Sequence, residues 1–182
     1  NNTGTIALLS SGGIDGGGGT VLMRAANYAF GGADRTITTT GVLTIEPDAD
    51  EISFASSFDN QYLNPVSVTG LTLGKSSNAS AITLSRAISL SGPVSIYGGS
   101  IDVNANITAN SGNILLDADT GSTLNQSSTG ILLDDAITIE TVTSGNLTLI
   151  GRSGDTGSGF DGIDASSCLL YTSDAADERL SV

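Results

Sequence analysis

Short apolar–polar–apolar triplets run along the chain, most of them one or two residues after a glycine or serine. Leu43-Thr44-Ile45, Leu71-Thr72-Leu73, Ile82-Thr83-Leu84, Val94-Ser95-Ile96 and Ile101-Asp102-Val103 are five of them. Ile137-Thr138-Ile139 and Leu147-Thr148-Leu149 follow the same rule, with Ile114-Leu115-Leu116 and Ile131-Leu132-Leu133 as fully apolar variants. Alternation over short runs bounded by Gly, Asn and Ser predicts half-buried strands. Helical spacing is not sustained anywhere, and β-branched Thr, Ile and Val lower helix propensity further. The expected fold class is all-β.

The spacing of the triplets says how they combine. Thr72 to Ser95 is 23 residues, Thr83 to Asp102 is 19, Ser95 to Leu115 is 20 and Leu115 to Thr138 is 23. A period of about 20 residues holding two or three strands predicts a β-solenoid whose coils stack through parallel pairing. Ile101, Val103, Ala105 and Ile107 are then expected inside the tube, with Asp102, Asn104, Asn106 and Thr108 outside. A single coil cannot bury its apolar side, whereas a stack buries a continuous core. Gly98-Gly99 and Gly92-Pro93 read as corners, the first because glycine tolerates positive φ.

Residues 1–65 are less regular. Gly16 to Gly19 read as a flexible turn. Arg35 to Ile45 and Ile52 to Phe54 read as strands, Ser56 to Pro65 as a loop bulging from the tube, and Gly151 to Gly162 as a loop or corner. From Cys168 the pattern stops. The run CLLYTSDAADE, Cys168 to Glu178, resembles the translation of a common transposase-adapter DNA. The expected division is therefore a solenoid segment over 1–167 and a non-native tail over 168–182. The chain starts at Asn1 without an initiator Met and is expected to be a piece of a longer protein that continues past Ser167.

Composition narrows the function. Nineteen acidic residues against six basic ones give a net charge of −13. No basic patch is available to neutralise phosphates or to meet an anionic membrane surface, so nucleic acid is not an expected partner. No apolar run is long enough to insert in a bilayer. Histidine is absent and Cys168 is the lone cysteine, which removes Ser-His-Asp and Cys-His catalysis, imidazole metal sites and internal disulfides.

The remaining motifs are better read as surface chemistry. Asp-Thr-Gly-Ser occurs at Asp119–Ser122 and Asp155–Ser158, but copies 36 residues apart are too close to sit in the two lobes of an aspartic protease. Asp, Thr and Gly are ordinary turn formers. GRSGDTGSGFDGID, Gly151 to Asp164, has oxygen ligands suited to calcium but lacks a repeated nonapeptide. Asp134-Asp135 and Asp48/Asp50/Glu51 read as solvated turn charges. Asn-x-Ser/Thr sites at Asn1, Asn78, Asn106, Asn125 and Asn146 are expected by chance in so Asn- and Thr-rich a chain. The run Thr36 to Gly41 does not continue as a threonine row. Tyr62 and Tyr97 are isolated candidates for stacking on a sugar. No catalytic, cofactor-binding or metal-ligating residue is assigned.

The segment GLTLGKSSNASAITLSRAISLSGPVSIYGGSIDVNANI, Gly70 to Ile107, resembles the repeats of filamentous-haemagglutinin-like proteins, and SGNILLDADTG and SGNLTLIG look similar. These are large secreted or surface-exposed adhesins of Gram-negative bacteria. The resemblance spans roughly Thr20 to Gly151. It implies a right-handed parallel β-helix, export to the cell surface and a part in adhesion or aggregation, with host glycans, host surface proteins or other copies of the chain as partners. The family's secretion domain is not represented, and Asn64-Pro65 lies mid-chain without that context, so no functional residue carries over. The expectation is a non-catalytic adhesive segment. The alternative is a polysaccharide lyase or glycosidase on the same scaffold, which would need carboxylates at fixed separations or basic groups beside a metal.

Overall fold

The computed structural model describes residues 4–8, 13–31, 35–48, 53–118, 129–153, 161–165 and 168–172. Among them are twenty strands and no helix. The strands group in threes, one coil at a time. The first coil holds β1 (Thr5–Leu8), β2 (Ile14–Asp15) and β3 (Val21–Arg24), and the second β4 (Asn27–Phe30), β5 (Arg35–Thr38) and β6 (Val42–Glu46). The third holds β7 (Phe58–Asp59), β8 (Leu63–Val66) and β9 (Gly70–Leu73), and the fourth β10 (Ala81–Leu84), β11 (Ile88–Leu90) and β12 (Val94–Tyr97). The fifth holds β13 (Ser100–Val103), β14 (Ile107–Ser111) and β15 (Ile114–Ala118). The sixth holds β16 (Ile131–Leu133), β17 (Thr138–Ser144) and β18 (Leu147–Gly151); β19 (Ile163–Asp164) and β20 (Leu169–Thr172) begin a seventh.

Every ladder is parallel and joins a strand to the one three places later. The chain is a three-faced parallel β-solenoid. One face is unbroken, running β3-β6-β9-β12-β15-β18. The second consists of β1-β4 and β7-β10-β13-β16-β19, and the third of β2-β5-β8 and β11-β14-β17-β20. Two of the three faces are therefore interrupted on either side of the third coil.

The register explains the core. On the unbroken face Val21, Leu43, Leu71, Val94, Ile114 and Leu147 fall in one inward row, and Met23, Ile45, Leu73, Ile96, Leu116 and Leu149 in a second. Between them Leu22, Thr44, Thr72, Ser95, Leu115 and Thr148 point outward. Ile82, Ile101 and Ile131 form an inward row on the second face, as Ile88, Ile107 and Ile139 do on the third. Like residues stack on like, so each aliphatic side chain fits between those above and below it. Burial of each contributes roughly 1.5–3 kcal/mol. The expected orientation of Ile101 to Thr108 holds: Ile101, Val103 and Ile107 are buried, Ala105 is half-buried, and Asn104 and Asn106 are exposed.

Coil length is less uniform than the spacing predicted. Successive partners lie 19 residues apart at Ile82–Ile101 and 20 at Val94–Ile114, but 28 at Leu43–Leu71 and 33 at Ile114–Leu147. Leu115 pairs with Thr148 and not Thr138, which lies on a different face. Triplets on all three faces look alike, so equal spacing alone does not identify the face. Part of the extra length enters a ladder: between Ala109–Thr141 and Ser111–Ser144 the register of β14 and β17 shifts by one residue.

Other local expectations need correction. Ser56 to Pro65 is no bulging loop: it contains β7 and most of β8, with Phe58, Asn60 and Leu63 buried. Ser53-Phe54 is not a strand, and Ile52 lies outside the described residues. Gly98-Gly99 is a corner, but not through positive φ. A Cβ on Gly99 would collide with the Ala79 carbonyl of the preceding coil, so close backbone approach excludes a side chain there. Positive φ is used instead at Gly112 (102°) and Gly145 (136°), which occupy equivalent corners of successive coils. In the tail, Cys168 to Thr172 is described. Its strand β20 pairs with β17, and all four of its residues are exposed.

Ala136 closes the Asp134–Ala136 turn with φ of 61°, a conformation its Cβ disfavours. Ala136→Gly should raise stability by about 0.5–1 kcal/mol. Thermal unfolding would then shift upward by roughly 2 °C.

Candidate functional site

The interruption on the second face lies beside a groove with both aromatic and polar lining residues. β4 pairs only with β1, and β7 only with β10, so no ladder closes the gap between β4 and β7. A cluster of aromatic rings packs beneath it. Tyr28 and Phe30 alternate on β4 and stack with centroids 6.1 Å apart. Phe54 and Phe58 reach them from the third coil, with Tyr28–Phe54 at 5.6 Å, Tyr28–Phe58 at 5.7 Å and Phe30–Phe58 at 6.0 Å. Phe54 and Phe58 belong to the buried core, and Tyr28 and Phe30 pack against it. Edge-on and offset contacts are the favoured aromatic geometries.

A groove of about 240 Å³ opens beside this cluster, lined by Tyr28, Ala29, Phe30, Ser57, Asp59, Gln61 and Tyr62. Three of the lining residues are aromatic, and Ser57, Gln61 and Asp59 bring a hydroxyl, an amide and a carboxylate. The rim is held in shape from below. Asn60 is 2% exposed; its Nδ2 donates to the Arg86 carbonyl at 2.9 Å and its Oδ1 accepts the Arg86 N–H at 2.9 Å. The Asp59 carboxylate accepts the Gln61 N–H at 2.9 Å, closing a tight turn that presents Gln61 and Tyr62.

Asn78 clamps the opposite side and joins three coils. It is fully buried. Its Oδ1 accepts the N–H groups of Phe54 and Ser80, each at 3.2 Å, while its Nδ2 donates to the carbonyls of Tyr97 at 2.8 Å and Ser80 at 3.3 Å. Asn106 and Asn113 accept N–H groups from the next coil in the same way, from Thr138 and Asn146 at 2.9 Å each. Side-chain amides thus satisfy backbone groups at corners, where ladders cannot.

The Tyr28 hydroxyl lies 2.8 Å from both the Met23 and the Glu46 carbonyls, which share its single proton. It is committed to the fold, and its ring packs against Phe30, Phe54 and Phe58. Burial raises the pKa of this phenol well above its ordinary value of 10. The unfolded chain therefore releases this proton first, and stability falls as pH rises above about 10. Tyr28→Phe should weaken that alkaline loss, at a cost of about 1 kcal/mol at neutral pH. Ultraviolet titration combined with alkaline unfolding would read both.

The other sequence candidates scatter. Tyr62 is not isolated, since it shares the groove with Tyr28 and Phe30. Tyr97 lies on the unbroken face and does not line it. Both Asp-Thr-Gly-Ser copies, residues 154–160 of the Gly151–Asp164 run, Asp50, Glu51, Asn1 and Asn125 lie outside the described residues. Asn78 is too buried to accept a glycan, whereas Asn106 and Asn146 are exposed. Among the described residues no three His, Cys, Asp or Glu side chains gather to hold a metal, and no helix is long and apolar enough to cross a membrane. Glycoside hydrolysis with paired carboxylates needs two such groups, and the groove lining contributes one, Asp59.

The aromatic cluster was missed from the sequence although a signal was present. Five of the eight Phe and Tyr residues fall between Tyr28 and Tyr62. No family model, curated protein or solved structure matches the chain.

Proposed function

We propose that the chain is a structural and adhesive repeat segment of a large secreted or surface-exposed bacterial protein, without catalysis. One observation carries the reading. The coils bury aliphatic rows and turn outward rows made mostly of Thr, Ser and Asp, such as Thr44-Thr72-Ser95 and Asp59-Thr83-Asp102. That arrangement spends its sequence on a long polar surface and suits many weak hydrogen bonds to host glycans, host surface proteins or other copies of the chain. The likeness of Gly70–Ile107 to filamentous-haemagglutinin-like repeats supports the same reading and a Gram-negative cell-surface or extracellular location. The acidic balance disfavours nucleic acid. The functional segment is 1–167; residues 168–182 are taken as a non-native tail on the likeness of Cys168 to Glu178 to translated adapter DNA.

Purified protein should bind host-cell surfaces or a glycan array saturably, without turnover. Cleavage of any polysaccharide in the same screen would replace this reading with an enzymatic one.

A further inference from the structure

The groove between β4 and β7 has features that a repeated tube does not need. We propose that it binds a single neutral pyranose, as the terminal unit of a surface glycan. The proposal deepens the adhesive reading and rests on it for the choice of a glycan over other compact ligands.

The lining sets the chemistry. Tyr28, Phe30 and Tyr62 offer aromatic surface, while Ser57, Asp59 and Gln61 supply a hydroxyl, a carboxylate and an amide. A pyranose matches such a wall and rim: its axial C–H groups make an apolar face and its hydroxyls radiate from the edge. Polar groups make up the larger share of the exposed lining, which suits a hydroxyl-rich ligand. A volume of about 240 Å³ suits one ring and not a chain of several.

Charge excludes the acidic sugars. Asp59 is the one charged residue of the lining, and the whole protein carries −13. A uronic or sialic acid would meet like charge, whereas a neutral hydroxyl can donate to the carboxylate. A peptide strand added along β7 would find an edge of only two residues, half the length of β4 across the gap. The rim is also rigid before binding, since Asn60 is fixed to Arg86 and Asp59 to Gln61. Little ordering is therefore lost when a ligand arrives.

The test is saturation-transfer NMR and calorimetric titration of the full chain with methyl β-galactopyranoside, methyl α-mannopyranoside and methyl β-glucopyranoside. Methyl β-glucuronide serves as the charged control. At least one neutral glycoside should show transfer to its ring protons, and the glucuronide should bind about tenfold more weakly. Tyr62→Ala and Gln61→Ala should each lower affinity about tenfold with little change in thermal unfolding, since Gln61 is exposed and Tyr62 half-buried. If one variant unfolds, the other still reads the site. Absence of transfer from all three neutral glycosides overturns the proposal, as does undiminished binding in both variants or preference for the glucuronide. Cell adhesion that survives Tyr62→Ala would overturn the groove as the glycan site and leave the adhesive reading standing. Glycoside binding at the groove by a protein that adheres to no surface would do the reverse.

Discussion

Replacing Ile101 with aspartate is expected to unfold the C-terminal coils. Ile101 is 1% exposed and sits between Ile82 and Ile131 in an inward row of the second face. The change removes roughly 1.5–3 kcal/mol of apolar burial. It also places a carboxylate among aliphatic side chains, at a further cost of several kcal/mol. A loss above about 5 kcal/mol rivals the whole stability of an ordinary domain. Coils interact only with their neighbours, so the damage should concentrate around the fifth coil and spread toward the sixth. Thermal unfolding should fall by more than about 10 °C, with circular dichroism showing partial loss of strand signal at room temperature. Asp102→Asn, one residue away and outward-facing, should change stability by less than about 0.5 kcal/mol. Equal tolerance of the two substitutions would show that inside and outside have been assigned wrongly.

Asn78→Leu should have the second-largest effect. The side chain is close to the same size, so the loss falls on hydrogen bonding and not on volume. The N–H groups of Phe54 and Ser80 and the carbonyl of Tyr97 lose their amide partner. At about 1–3 kcal/mol for each buried group left unsatisfied, less what relaxation recovers, the expected loss is about 3–5 kcal/mol. That corresponds to roughly 10 °C in thermal unfolding. Amide exchange at Phe54 and Ser80 should quicken more than exchange at Ile114 or Leu116, which lie in an intact ladder. Uniform quickening across the chain would mean that Asn78 is not a local clamp.

The ladders were legible in the sequence because their physics is local. A triplet such as Ile82-Thr83-Leu84 must put Thr83 on the opposite side from its neighbours, whatever surrounds it. The spacing from Thr83 to Asp102 then gave the correct partner. Where coils lengthen, spacing misleads: Ile114 and Leu147 are 33 residues apart, and the step of 23 from Leu115 to Thr138 leads to another face. The aromatic groove was illegible for a different reason. Tyr28 and Tyr62 come together only because β4 and β7 fail to pair, and pairing failure is a property of the stack, not of either strand. Buried Asn60 and Asn78 were hidden likewise. In sequence they resemble any other turn asparagine, and only the neighbouring coil reveals which backbone groups they satisfy.

The winding of the chain into stacked parallel coils is tested most directly by methyl cross-peaks in NMR spectra of Ile/Leu/Val-labelled protein. Ile82, Ile101 and Ile131 should show contacts in series, as should Leu73, Ile96 and Leu116, because each row repeats at the strand spacing of about 4.8 Å. Absence of both series, or cross-strand Hα–Hα contacts of antiparallel pairing in their place, would contradict the solenoid.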